Sequence, residues 1–168
     1  MDLKWNSNGI LRKERKMENG KMRVVIADNN VQDRESKQTT MTNLGINVIL
    51  ATGNGSKALE TIREEQPDVV IMDLILPGID GIGILEEVNK GESPRRKPVF
   101  IIETALRMEN LVDEAIQAGA DFITKRNRIF LCAGYNWVYL HSFFHKLIYS
   151  FDQHRIGYRH REKYGFFL

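Results

Sequence analysis

Between Arg23 and Lys125, short aliphatic runs alternate with stretches whose apolar positions recur at helical spacing. Arg23 to Asp28 is the first run and ends in an acid, and Ile46 to Thr52 is the second. Val69 to Met72 is apolar at every position, the pattern of a strand buried on both faces. Pro98 to Ile102 gives a fourth strand and Phe122 to Thr124 a fifth, ending at Lys125. Among the intervening segments, Ser56 is placed to cap a helix carrying Ala58, Leu59 and Ile62, which ends before Pro67. After the Pro77-Gly78 turn, Ile82, Leu85 and Val88 mark a further amphipathic helix. Asn110 to Ala118 makes another, stopped at Gly119. Val31 to Leu44 is also predicted to be helical, stopped by Gly45, yet its interior offers no apolar stripe at i, i+3, i+4 spacing. Five strands alternating with helices predict an α/β fold with a doubly wound, parallel five-stranded sheet.

In such a sheet the ligand site lies beyond the carboxyl ends of the strands. Asp28, Asp73, Thr104 and Lys125 each fall at or just past one of those ends. A carboxylate closing an apolar strand, as Asp73 does, is costly to bury unless something pairs with it. The bland readings are a turn residue for Asp73 and a surface cation for Lys125. Neither explains why all four converge on one edge.

This constellation resembles the receiver domain of bacterial response regulators over residues 22–125. It rests on Asp28 after the first strand and Asp73 after the third, with Leu76-Pro77-Gly78 and Asp80-Gly81 behind it. Thr104-Ala105 after the fourth strand and Lys125 after the fifth complete it, and the segments IADNN, LPGIDG and AGADFITK bring it near sporulation-type regulators. The resemblance implies a flavodoxin-like fold and a phosphoryl group accepted on Asp73 from a histidine kinase or a phosphotransfer protein. A carboxylate can act as such a nucleophile by forming an acyl phosphate. It further implies magnesium held by Asp28, Asn29, Asp73 and the backbone carbonyl of Ile75, since hard cations take oxygen ligands. Lys125 would then pair with a phosphate oxygen, the Thr104 hydroxyl would follow the phosphoryl group as a switch, and Phe122 would stand at the rotating aromatic position. Counted from Pro98 without a gap, Glu103 rather than Thr104 takes the switch position. Side chains alternate along a strand, so only one of the two can face the site, and the neighbouring Ala105 favours Thr104.

Several features depart from that pattern. Asn29 stands where the family carries a second acid, which removes one negative charge from the metal site; a plain role as a helix cap is the alternative. Arg126 replaces the proline expected after the lysine. The first helix is degenerate, and the fifth is replaced or missing. Residues 126–168 hold twelve of the fifteen aromatics, all four histidines and Cys132, but only two acids. Lys125-Arg126-Asn127-Arg128-Ile129-Phe130 is what a family-like continuation, Lys-Pro-Glu-Pro-Asp-Leu, would become on losing one nucleotide. The tail is therefore read as frameshifted and atypical, and residues 1–21 as a disordered extension. A first helix without a stripe and an absent fifth helix would leave one sheet face under-covered, which predicts self-association.

Composition narrows the partners. The net charge of +2 gives no case for nucleic acid, and the basic-aromatic mixture around Tyr158 and Tyr164 is unpatterned. Ile129 to Phe144 is interrupted by Asn136 and His141 and is short of a membrane span. His141 and His145 lack a spaced third ligand for zinc. A lone cysteine and a charged opening segment without an apolar core predict a cytoplasmic protein. Magnesium is the expected cofactor. The functions expected are a phosphorylatable receiver or, as the alternative, a pseudo-receiver that binds partners without phosphorylation. An enzyme is not expected, because aspartyl-phosphate phosphatases place a second aspartate where this chain has Ile75.

Overall fold

The computed structural model describes residues 3–5, 11–13, 22–90, 97–105 and 109–125. The tail from 126 to 168, with the expectations attached to it and to the fifth helix, lies outside them. Within the first 21 residues, expected to be without structure, β1 (Leu3–Trp5) pairs antiparallel with β2 (Leu11–Lys13). The main sheet contains β3 (Arg23–Ala27), β4 (Asn47–Thr52), β5 (Val69–Met72), β6 (Val99–Thr104) and β7 (Phe122–Lys125). All neighbours are parallel, in the order β4-β3-β5-β6-β7. Helices α1 (Val31–Asn43), α2 (Gly55–Glu65), α3 (Gly81–Lys90) and α4 (Glu109–Ala118) connect consecutive strands. The fold is the flavodoxin-like doubly wound sheet that the alternation predicts. The chain order reverses between β3 and β5, and that switch point is where such a sheet opens a crevice.

Strand alternation divides the core. Val25, Ala27, Val70, Met72, Phe100 and Ile102 pack with Ala58, Leu59 and Ile62 of α2, Ile84 and Leu85 of α3 and Ala115 of α4. Val24, Ile26, Val69, Ile71, Val99 and Ile101 form the opposite face with Met41 of α1, and Phe122 packs at its margin. This second face was expected to be under-covered: its β3, β5 and β6 residues are buried, while Val48 on β4 and Phe122 on β7 are only partly so. Each aliphatic side chain removed from water contributes about 1.5 to 3 kcal/mol.

The helix boundaries follow local chemistry. Gly45 and Gly119 adopt the left-handed conformation just past α1 and α4, the conformation glycine adopts without steric cost. The N-cap of α2 is Asn54 rather than Ser56, because Asn54 Oδ1 accepts from the Lys57 amide at 3.0 Å. The Gly55 amide donates to the Pro77 carbonyl at 2.9 Å, which fixes the start of α2 against the loop after β5. Helix α1 forms despite its sequence. Its inward stripe consists of Lys37 and Met41, one turn apart and both fully buried.

Candidate functional site

The two acids at the switch point are held by continuations of the sheet ladder. The Asp28 amide donates to the Thr52 carbonyl and the Asp73 amide to the Ala27 carbonyl, each at 2.9 Å. Both carboxylates are buried. Asp73 Oδ1 accepts a long hydrogen bond from the Ile75 amide at 3.4 Å. Behind it, Gly81 lets α3 approach closely, since a Cβ there would lie 2.8 Å from the Asp73 carbonyl oxygen.

Asp28 is heavily engaged. Its Oδ1 accepts from the Asn30 amide at 2.8 Å, and its Oδ2 accepts from Lys37 Nζ at 2.6 Å. Its backbone carbonyl accepts from Arg34 Nη1 at 2.7 Å. Asn30 also caps α1, its side chain accepting from the Asp33 amide at 3.0 Å. Lys37 reaches a second acid, with Nζ 2.5 Å from Glu103 Oε2. Burial works to lower the Lys37 pKa, but Glu103 and Asp28 outweigh it and hold the ammonium above its ordinary value of 10.5. Burial pushes the Glu103 carboxyl up, and Lys37 pulls it only part of the way back.

The expected residues are thus partly united. Asp28 and Asp73 sit on adjacent strands of the switch point. Asn29 is exposed and does not cap α1, a role that falls to Asn30. The Ile75 side chain is about half exposed at 52%. Of the two β6 candidates, Glu103 joins Asp28 through Lys37, against the preference for Thr104. Strand alternation is the reason: Glu103 continues the parity of Val99 and Ile101 toward α1. Thr104 is buried one position on, in register with Lys125, the last residue of β7. Phe122 is half-buried and packs on the α1-side core. Lys37 was not foreseen. Its one signal in the sequence was its place four residues before Met41, the one large apolar residue of α1 besides the exposed Val31.

As arranged here, the residues do not fit a divalent cation. Asp28 already meets an amide and an ammonium, Asn29 brings no charge, and no group of three His, Cys, Asp or Glu among the described residues is placed to hold a metal. Also among the described residues, no helix is long and apolar enough to cross a membrane.

The sequence model of the response regulator receiver domain family matches residues 24–130, more than half of the chain. The chain belongs to that family. It is 35% identical over 104 residues to the chemotaxis protein CheY of Bacillus subtilis, covering 61% of this chain and 84% of the relative. It is 36% identical over 104 residues to CheY of Thermotoga maritima, with the same shares covered. Among solved structures, the signal receiver domain of the putative response regulator NarL from Mycobacterium tuberculosis is similar at 27% identity and a TM-score of 0.59, covering 69% of this chain and 98% of that one. The CheX–CheY–BeF3–magnesium complex from Borrelia burgdorferi shares the fold at 20% identity and a TM-score of 0.60, with 80% and 92% covered.

Proposed function

We propose that this receiver accepts a phosphoryl group on Asp73 from a histidine kinase or a histidine phosphotransfer protein. The observation that carries the reading is the buried Asp73 carboxylate at the switch point, beside Asp28 and behind the exposed Ile75 loop. An Asp73 oxygen attacks the phosphorus of a phosphohistidine, the P–N bond breaks, and the imidazole leaves as the acyl phosphate forms. Such transfer needs positioning and charge neutralisation more than covalent help. In this scheme Lys125, at the end of β7, meets the phosphoryl charge. No step runs through a divalent cation. The chain would act as the substrate of a kinase and as a signalling switch in the cytoplasm, not as an enzyme with its own turnover.

Incubating wild type and Asp73→Asn with acetyl phosphate, and weighing the intact proteins, tests this. One added phosphoryl group on wild type and none on the variant is expected. A phosphoryl group on the variant would place the acceptor elsewhere. An unmodified wild type would favour the second reading, a pseudo-receiver that binds partners without phosphorylation. The observation behind that alternative is the Lys37 ammonium already seated on Asp28.

A further inference from the structure

We propose that Lys37 is a built-in counter-ion that takes a divalent cation's place at Asp28, so that metal enters this pocket only by displacing it. The inference stands whether or not Asp73 is phosphorylated.

Its first support is where the lysine sits. A helix lying on a sheet normally turns an apolar stripe inward, and a lysine is almost never fully buried unless paired. On α1 the inward stripe is Lys37 followed by Met41, and Lys37 is only 1% exposed. The segment from Asp28 to Lys37 is also bound together by polar contacts. The Asn30 amide and Lys37 Nζ take separate oxygens of the Asp28 carboxylate, while Arg34 takes the carbonyl of the same residue. A lysine so placed is fixed by the helix that carries it.

The second support is Glu103. It is fully buried, and its contact with Lys37 at 2.5 Å gives the ammonium a second carboxylate. A dication approaching Asp28 Oδ2 would meet the ammonium 2.6 Å from that oxygen. To bind there it must move Lys37 aside, and Glu103 would then be left as a buried charge without its cation. Leaving such a charge behind is the costly event at a buried ion pair. Glu103 therefore acts as a lock on Lys37. Asn29, exposed and uncharged, offers the incoming metal no compensating charge.

The test is manganese binding to the full chain, read from the electron paramagnetic resonance signal of free Mn2+. Wild type is compared with Lys37→Met/Glu103→Gln, which removes one charge of each sign and keeps the net charge constant. The double variant should bind at least about ten-fold more tightly, equivalent to about 1.4 kcal/mol. Equal affinities, or tighter binding by wild type, would overturn the proposal. Should the double variant fail to fold, the wild-type protein answers alone. Lysine-selective 15N labelling gives the Lys37 ammonium resonance, assigned by its loss in Lys37→Arg. That resonance should persist unshifted through millimolar magnesium. A shift that saturates at micromolar magnesium would show that the ammonium yields without cost, and the proposal would fail.

Discussion

Glu103 concentrates the residue-scale chemistry, because a carboxyl with a Lys37 contact is still held above the ordinary carboxylate value of 4.5 by its burial. A folded-state pKa above the unfolded one means that the folded protein keeps the proton longer. The stability Glu103 contributes is then fully present below about pH 4.5 and is lost as pH rises through the folded pKa. Glu103→Gln has no carboxyl to titrate at this position and so escapes that particular loss. Melting temperatures of the two proteins, taken from acid to neutral pH, should therefore diverge progressively in the variant's favour. A constant difference across the window would mean that Glu103 ionises as readily in the fold as in the unfolded chain. Lys37, by contrast, stays charged throughout the same range.

Among the elements, the loop from Asp73 to Asp80 and the start of α2 are interdependent. Gly55 opens α2 against that loop, and a Cβ built on it would fall 1.7 Å from the Ile79 carbonyl oxygen. Backbone cannot yield as the tip of a flexible side chain can, so Gly55→Ala must move α2 or the loop. Overpacking of this kind costs about 1 to 3 kcal/mol, and denaturant unfolding of the variant should show a loss in that range. An unchanged midpoint would mean that the contact between α2 and the loop has room for a methyl group. Helix α1 illustrates the opposite case, docking through Asn30, Arg34 and Lys37 where other helices of the sheet use aliphatic stripes.

For the whole molecule, this difference in docking predicts a gradient of stability. Strands β3, β5 and β6 are buried along almost their full length, whereas α1 places only Met41 among the core's apolar side chains; α3 and α4 add partly buried Ile82, Val88, Leu111 and Ala118 to their buried ones. Local opening costs least where few buried apolar contacts hold an element down. Native-state amide exchange should accordingly be fastest, among the four described helices, in residues 31–43, and slowest in the three central strands. Protection of α1 equal to that of α2 would show that the polar contacts to Asp28 hold as firmly as apolar packing. The sequence by itself determined the sheet, since five aliphatic runs separated by helical periods leave little but a doubly wound arrangement. It also determined the placing of Asp28 and Asp73, because acids that close strands must gather at the carboxyl edge. The glycine stops at Gly45 and Gly119 were equally legible, being local backbone requirements. Only the tertiary structure decided that Glu103 rather than Thr104 joins Asp28, because that choice depends on strand parity relative to α1. It alone revealed Lys37, since a lysine in a polar helix reads as solvated until the fold sets two buried carboxylates around its ammonium.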